Sequence, residues 1–419
     1  MLDRKVAPPF VKTTSFDLIK PEEISLPNGI DFFFVTGGFQ DVLKIELIFP
    51  AGKWFEEKCG SAYFTAHLLS KGTKQKNSFE IAEILDRYGA HLEVSPGLDF
   101  VSISLYTLNK NLAPVLDVLL EILTEPTFSE KEFDQAKIVF IQNLQVNNEK
   151  TSFICSKLFR KNLFGATHPY GSEIEETDVN TLQTTDLRNH YADFFRSIKI
   201  FVSGKIEPGD KEMIREAFTR WPKAAASPGL SRTILAQPSN DYVEKKESVQ
   251  SSIRIGRRSI LRAHPDYVPV VFVGHILGGY FGSRLMKNIR EEKGLTYGIS
   301  ASIHALKRES YLVIGADVNK ENVHLTFDEI RKELKILRTT KISSGELETT
   351  RNHFIGSLQS EITTPFAHAD KIKTIKIFDL SEDHYQNMIA RIENINASEI
   401  MEISEKFYDE ESFYQVAVG

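Results

Sequence analysis

Apolar and polar residues alternate from Val42 to Phe49, with Leu43, Ile45, Leu47 and Phe49 on one face, which is the period of a half-buried strand. A helix-like stretch follows over about 60–70. A second helix carries Ile81, Ile84, Leu85 and Tyr88 at i, i+3, i+4 and i+7. After Tyr88-Gly89 the pattern predicts a strand with Val101, Ile103 and Leu105 facing one way, then a helix around Val115–Leu123. The same order returns later. Residues 251–256 read as a strand, 270–276 as an apolar helix and 283–292 as its helical continuation; Tyr297-Gly298, a strand over 311–318 and a helix through 327–337 follow. The registers agree, since Tyr88 and Glu121 are 33 residues apart and Tyr297 and Glu329 are 32 apart. Each half then adds a long polar helix, over 130–148 and 343–360, and closes on an apolar strand, 198–206 and 413–418.

An internal duplication is the simplest account of this repeat; two unrelated tandem domains are the alternative. The expected fold class is α+β, with two tandem homologous domains, each an antiparallel-rich sheet with helices packed on one face. Pro222, Pro228, Gly229 and Pro238 interrupt the periodicity and mark a linker over 222–240. The domains are therefore placed at 1–221 and 241–419. A length of 419 residues supports this, because it exceeds one ordinary core.

Composition narrows the function classes. Apolar residues make up 41% and charged residues 26%, the balance of a soluble globular chain. A net charge of −6 argues against nucleic acid as the main partner. Two cysteines, Cys59 and Cys155, with no C-x-x-C pair, exclude a disulfide framework and fit a reducing compartment. The first ten residues carry charge and proline where a signal peptide needs an apolar run, and no stretch approaches the roughly 18 apolar residues of a membrane span. The expectation is a cytoplasmic protein without a membrane partner. No phosphate-binding glycine loop, nucleophile elbow or nucleotide fingerprint is present.

Candidate chemistry concentrates in residues 281–298. Arg290 and Tyr297, seven residues apart around a charged, glycine-capped helix end, can both donate hydrogen bonds to an oxyanion or a peptide carbonyl. Taken alone, an arginine at a helix end also complements the dipole, and a Tyr-Gly pair also serves as a core aromatic at a turn. Gly278-Gly279 lets backbone pass close to a neighbour. Arg284 is a candidate for an ion pair within its own half, and His168-Pro169-Tyr170-Gly171 reads as a loop.

The duplicated layout, the Lys71-Gly72-Thr73 turn, and the Ser-Arg-Leu…Arg-Glu-Glu-Lys-Gly-Leu-Thr-Tyr-Gly text of 283–298 resemble the inverted-motif zinc peptidases. These are the pitrilysin, insulysin and mitochondrial-processing-peptidase group, and the resemblance spans nearly the whole chain. In that family the first helix carries H-x-x-E-H, with two zinc-binding histidines and a glutamate as general base. The matching residues here are Tyr63-Phe64-Thr65-Ala66-His67. Tyr63 replaces a ligand and Ala66 the base, and only His67 survives. Asn143 or Gln142 stands where the family has its third ligand, a glutamate. No metal is therefore expected on this chain, and His67 is expected to be structural. Of the eleven histidines the closest in sequence are His264 and His275, and no local pair has helix-face metal spacing. A metal site assembled from residues distant in sequence stays open.

The resemblance carries the family's Arg–Tyr pair onto Arg290 and Tyr297, where it implies a hold on the substrate carbonyl facing a zinc. It implies a non-catalytic subunit of a heterodimeric zinc metallopeptidase, inactive alone and closing like a clamshell on a related partner. That partner brings zinc, water and base, and the substrate is an unfolded peptide extended along a sheet edge. One alternative is a proteolytically inactive structural or interaction protein, since core subunits of the respiratory ubiquinol–cytochrome c reductase share the architecture. Another is a homodimeric zinc peptidase with an unrecognised metal site.

Overall fold

The computed structural model describes residues 16–223, 230–236 and 239–419. The first half runs β1 (Glu22–Ser25), β2 (Asp31–Thr36), β3 (Val42–Phe49), α1 (Ser61–Leu68), α2 (Ser78–Arg87), β4 (His91–Pro96), β5 (Val101–Leu108), α3 (Leu112–Thr124), α4 (Glu130–Asn148), α5 (Thr151–Phe164), α6 (Glu176–Thr181), α7 (Thr184–Phe194), β6 (Lys199–Gly204) and α8 (Pro208–Ala217). The second runs β7 (Asp241–Val243), β8 (Gln250–Arg258), α9 (Tyr267–Gly278), a π-helical segment (Met286–Glu292), β9 (Thr296–Ala305), β10 (Ser310–Asn319), α10 (Val323–Thr339), α11 (Ser344–Ser360), α12 (Pro365–Phe378), α13 (His384–Asn394), α14 (Ala397–Phe407) and β11 (Tyr414–Val418).

The sheet orders are β1-β2-β6-β3-β5-β4 and β7-β11-β8-β10-β9. Each has one parallel pair, β2–β6 or β7–β11, and is otherwise antiparallel. Strand for strand the second sheet repeats the first without β1, so the repeat in spacing is a repeat in topology. The fold is α+β, as the pattern predicted. The repeat extends to the start signals of the long helices. Ser129 caps α4 by accepting from Glu132 N at 3.3 Å, and Ser343 caps α11 by accepting from Glu346 N at 3.2 Å.

Each half also lends a helix to the other's sheet, which periodicity did not reveal. On the second sheet, Cys155 Sγ of α5 donates to the Val416 carbonyl at 3.4 Å, and Phe159 lies 6.2 Å from Tyr311. On the first sheet, Ala369 and Ile372 of α12 join Phe33, Val35, Ile48 and Phe201 in one apolar cluster. Thus Lys44 and Glu46, the polar positions of alternating β3, are buried rather than solvated. They pair with each other at 2.9 Å, and Lys373 of α12 reaches Glu46 at 2.7 Å. Phe16 crosses over too, its ring buried in the second core 5.3 Å from Tyr385.

A buried carboxylate ties the halves together. Asp99 accepts from Tyr170 Oη at 2.5 Å, Arg308 Nη1 at 2.8 Å and Lys307 N at 3.0 Å. The Arg308 guanidinium also covers Trp54 at 4.5 Å. His168–Gly171 is a loop, but His168 and Tyr170 are core residues in it. Of the linker markers, Pro228, Gly229 and Pro238 lie outside the described residues. Within 230–236, Arg232 donates to the Trp54 and Glu56 carbonyls, so that part lies against the first half.

Candidate functional site

Helix α1 starts at Gly60, whose φ of +93° suits glycine, and Thr65 anchors it by donating to the Leu187 carbonyl at 3.2 Å. Tyr63 and His67 are one turn apart and their rings stack at 6.0 Å with planes 6° from parallel. Phe140 of α4 packs on the Tyr63 ring at 5.0 Å. Burial pushes the Tyr63 phenol up from its ordinary range, so it stays protonated. His67 is exposed, and the apolar surface beneath it, with Lys71 nearby, holds its imidazole below the usual value and neutral. Ala66 is fully buried, and Asn143 is exposed on α4. These residues do not fit a zinc ion. They offer one imidazole, an uncharged amide and a protonated phenol, and a fully buried methyl stands at the base position. Among the described residues no group of three or more His, Cys, Asp and Glu side chains is placed to hold a metal.

The second half presents the Arg–Tyr pair. Gly278 brings α9 against β9 so closely that a Cβ there would lie 2.6 Å from Ala301 N, which is the close approach the glycine pair predicted. The 286–292 stretch, expected as an ordinary helix, is instead π-helical. Lys293 N bonds the Asn288 carbonyl five residues back at 3.1 Å, and Gly294 at φ +64° ends the segment. Such widened turns recur at functional sites. Here Arg290 lies half-buried with its guanidinium 4.4 Å from the Phe281 ring centroid. No carboxylate pairs with it among the described residues. By contrast, Arg284 is held by Glu346 through two bonds of 2.7 and 3.0 Å. Tyr297, the second residue of β9, is 93% exposed, so its hydroxyl is available to a ligand. Strand β9 is the free edge of its sheet. Beside its start an open cavity of about 390 Å³ is lined by Gly279, Tyr280, Phe281, Met286 and Ile299.

The repeat explains two further side chains. Glu121 accepts from Thr73 and Lys76, fixing the Gly72-Thr73 turn, and these contacts hold its carboxyl below the usual range against the opposing effect of burial. Glu329, in the matching register, accepts from Asn288 at 3.0 Å and pairs with Lys293 at 3.4 Å. Both brace the turn that follows the helical segment facing the site.

A family model described as insulinase (peptidase family M16) matches residues 39–178, and one described as the peptidase M16 inactive domain matches residues 181–354. The chain belongs to the M16 peptidase family. It is 25% identical over 304 residues, 71% of this chain and 73% of the relative, to an uncharacterized zinc protease, YmxG, of Bacillus subtilis. It is 21% identical, over 85% of its length and 84% of the relative's, to a non-peptidase homolog, YmxG, of Helicobacter pylori. A solved M16 inactive domain from Pseudomonas fluorescens shares the fold, with a TM-score of 0.87 over 95% of this chain and 97% of that one at 21% identity. Within the M16 fold, no helix among the described residues is long and apolar enough to cross a membrane.

One cluster escaped the sequence. His275 of α9 and His353 of α11 meet nitrogen to nitrogen at 3.0 Å. They are 78 residues apart, so no local motif marks them. The signal lay in the duplication, because α9 and α11 occupy the places that α1 and α4 hold in the first half.

Proposed function

We propose that this M16 chain is a non-catalytic subunit of a heterodimeric zinc peptidase, with Arg290 and Tyr297 serving a zinc site on a related partner. The carrying observation is a contrast between the two halves. The α1 face is packed by Tyr63 on His67 around a buried Ala66, while Arg290 has no carboxylate partner among the described residues and Tyr297 is exposed beside it in sequence. In this reading the domains are 1–221 and 241–419, joined by 222–240, and the partner's zinc half faces the second domain. Arg290 and Tyr297 donate to the carbonyl of the bound peptide and stabilise the negative charge that develops on its oxygen. An unfolded peptide lies extended along a sheet edge, where backbone hydrogen bonds bind it with little sequence demand. The site of action is the cytoplasm.

The test is reconstitution with an H-x-x-E-H partner and a peptide-cleavage assay. Loss of one preorganised donor costs on the order of 10²–10³ in turnover. Arg290→Ala and Tyr297→Phe are expected to fall in that range while the complex still forms by size exclusion. Unchanged turnover in both would leave the scaffold reading, which the non-peptidase relative favours. Peptide hydrolysis by the purified chain alone would overturn both in favour of a self-sufficient peptidase.

A further inference from the structure

His275 and His353 play no part in the proposed function, yet their surroundings are built around them. Tyr280 stacks on His275 at 4.9 Å and on His353 at 4.4 Å, and its hydroxyl is tied to Thr350 at 3.0 Å. Phe354 meets His275 edge-on at 5.1 Å. Gly279 has an ordinary φ of −84°, but a Cβ there would come within 2.4 Å of His275 Nδ1 and 2.6 Å of His275 Cα, so the glycine lets the chain pass close to that residue.

Of the facing nitrogens, His275 Nε2 and His353 Nδ1, one donates to the other, and the tautomer decides which. Burial, with His353 beside it, holds the His275 imidazole down to about 4, so at neutral pH it is in the ligating form. His275 is half-buried and His353 exposed, which leaves the gap open to solvent on one side.

We propose that His275 Nε2 and His353 Nδ1 form a binding site for a divalent transition-metal ion, with water completing its coordination. Metal–imidazole bonds of about 2.0–2.1 Å at a tetrahedral angle set the two nitrogens roughly 3.4 Å apart. Reaching that from 3.0 Å needs an opening of about 0.4 Å and a turn of each ring by roughly 35°, so that both nitrogens aim at the ion rather than at each other. The donor ring moves its proton to its outer nitrogen, so binding releases no net proton. Imidazole ligands favour Cu²⁺ over Ni²⁺ and Zn²⁺, and hard Mg²⁺ and Ca²⁺ do not compete. No third His, Cys, Asp or Glu joins the pair among the described residues, so the ion is held less tightly than in a structural zinc site. The site lies on this chain alone and does not depend on the subunit reading.

The test is calorimetric titration of the chelator-stripped full chain with Cu²⁺, Ni²⁺ and Zn²⁺ separately. One ion per chain is expected, tightest for Cu²⁺. His353→Ala is expected to weaken binding at least about 10-fold, since even outer-shell partners of metal ligands are worth that much. His67→Ala should leave it unchanged. No stoichiometric binding, or binding by His353→Ala within about twofold of the parent protein, overturns the proposal; so does binding that follows His67. His353 is exposed, so its variant folds, and metal-free melting curves verify this. His275→Gln is expected to weaken binding by at least as much, and if that variant fails to fold, His353→Ala decides alone.

Discussion

Replacing Asp99 with alanine tests the contact that joins the two halves. The carboxylate is 6% exposed and accepts three hydrogen bonds, one of them from a cation of the other half. Burial and the Asp99 carboxylate push the Tyr170 phenol far up, so the phenol is always a donor there. Removing the carboxylate leaves the buried Tyr170 hydroxyl without its acceptor, a cost of about 1–3 kcal/mol. It also strips Arg308 of its partner. Breaking a buried pair costs about 3–5 kcal/mol. The Arg308 side chain is 33% exposed and regains some water, which moves its share to the low end. A total near 4 kcal/mol follows for Asp99→Ala, from these ranges. Asp99→Asn keeps one oxygen for Tyr170 and Arg308 but loses the charge and turns an NH2 toward the Lys307 N–H, so about 2–3 kcal/mol is expected. The assay is urea unfolding followed by far-UV circular dichroism and by tryptophan fluorescence, which reports the first half through Trp54 and Trp221. In the parent protein the two probes should coincide. In Asp99→Ala they should separate as the halves uncouple. A loss below about 1 kcal/mol, with coincident probes, would refute the idea that this contact couples the halves.

Two further outcomes follow from buried charge. Glu46→Ala leaves Lys44, whose side chain is 8% exposed, with the 3.5 Å contact to Asp370 and the face of Tyr106 at 5.7 Å, and should cost about 3–5 kcal/mol by chemical denaturation; Lys373→Ala, removing the outer member, should cost less. Burial raises the Glu56 carboxyl to about 7, although Lys53 and the Gly60 N–H bond at 3.0 Å oppose the shift. Because the folded state then holds its proton more tightly than the unfolded chain, stability falls as pH rises from the ordinary carboxylate range to about 7 and is level above it. Glu56→Gln should flatten that window and gain on the order of 2 kcal/mol at pH 8 after allowance for partial exposure, and a pH profile of unfolding free energy unchanged by the substitution would contradict this.

The fold was legible where local pattern decides it. Strands β3, β5, β8 and β10 and helices α2, α4 and α11 fall where the pattern places them, because alternation and 3.6-residue spacing act within a few residues. What periodicity missed is contact across hundreds of residues. Lys44 and Glu46 look like a solvated face of β3 and are buried because α12, some 325 residues later, lies over them. The π-helical form of 286–292 was equally hidden. Its hydrogen bonds shift by one residue, while its side chains still read as an amphipathic helix.

The candidate site shows the same division. Arg284 and Arg290 are six residues apart, and the sequence offered Arg284 for an ion pair within its own half without showing which carboxylate it meets. The answer depends on Glu346, which reaches back 62 residues to hold Arg284 in a fork and leaves Arg290 to the face of Phe281. On the opposite half, the replacements at 63 and 66 read in the sequence as losses from a metal cradle. The packing argues otherwise, since the Tyr63 ring fills the space over His67 and is itself pinned by Phe140. A face repacked with aromatic rings is stabilised without metal, and the first half therefore gains nothing in stability by keeping a zinc ligand set. Nothing comparable closes off the exposed Tyr297. The contrast between the Tyr63-packed face of α1 and the exposed Tyr297 is the observation on which the proposed division of labour between two chains rests.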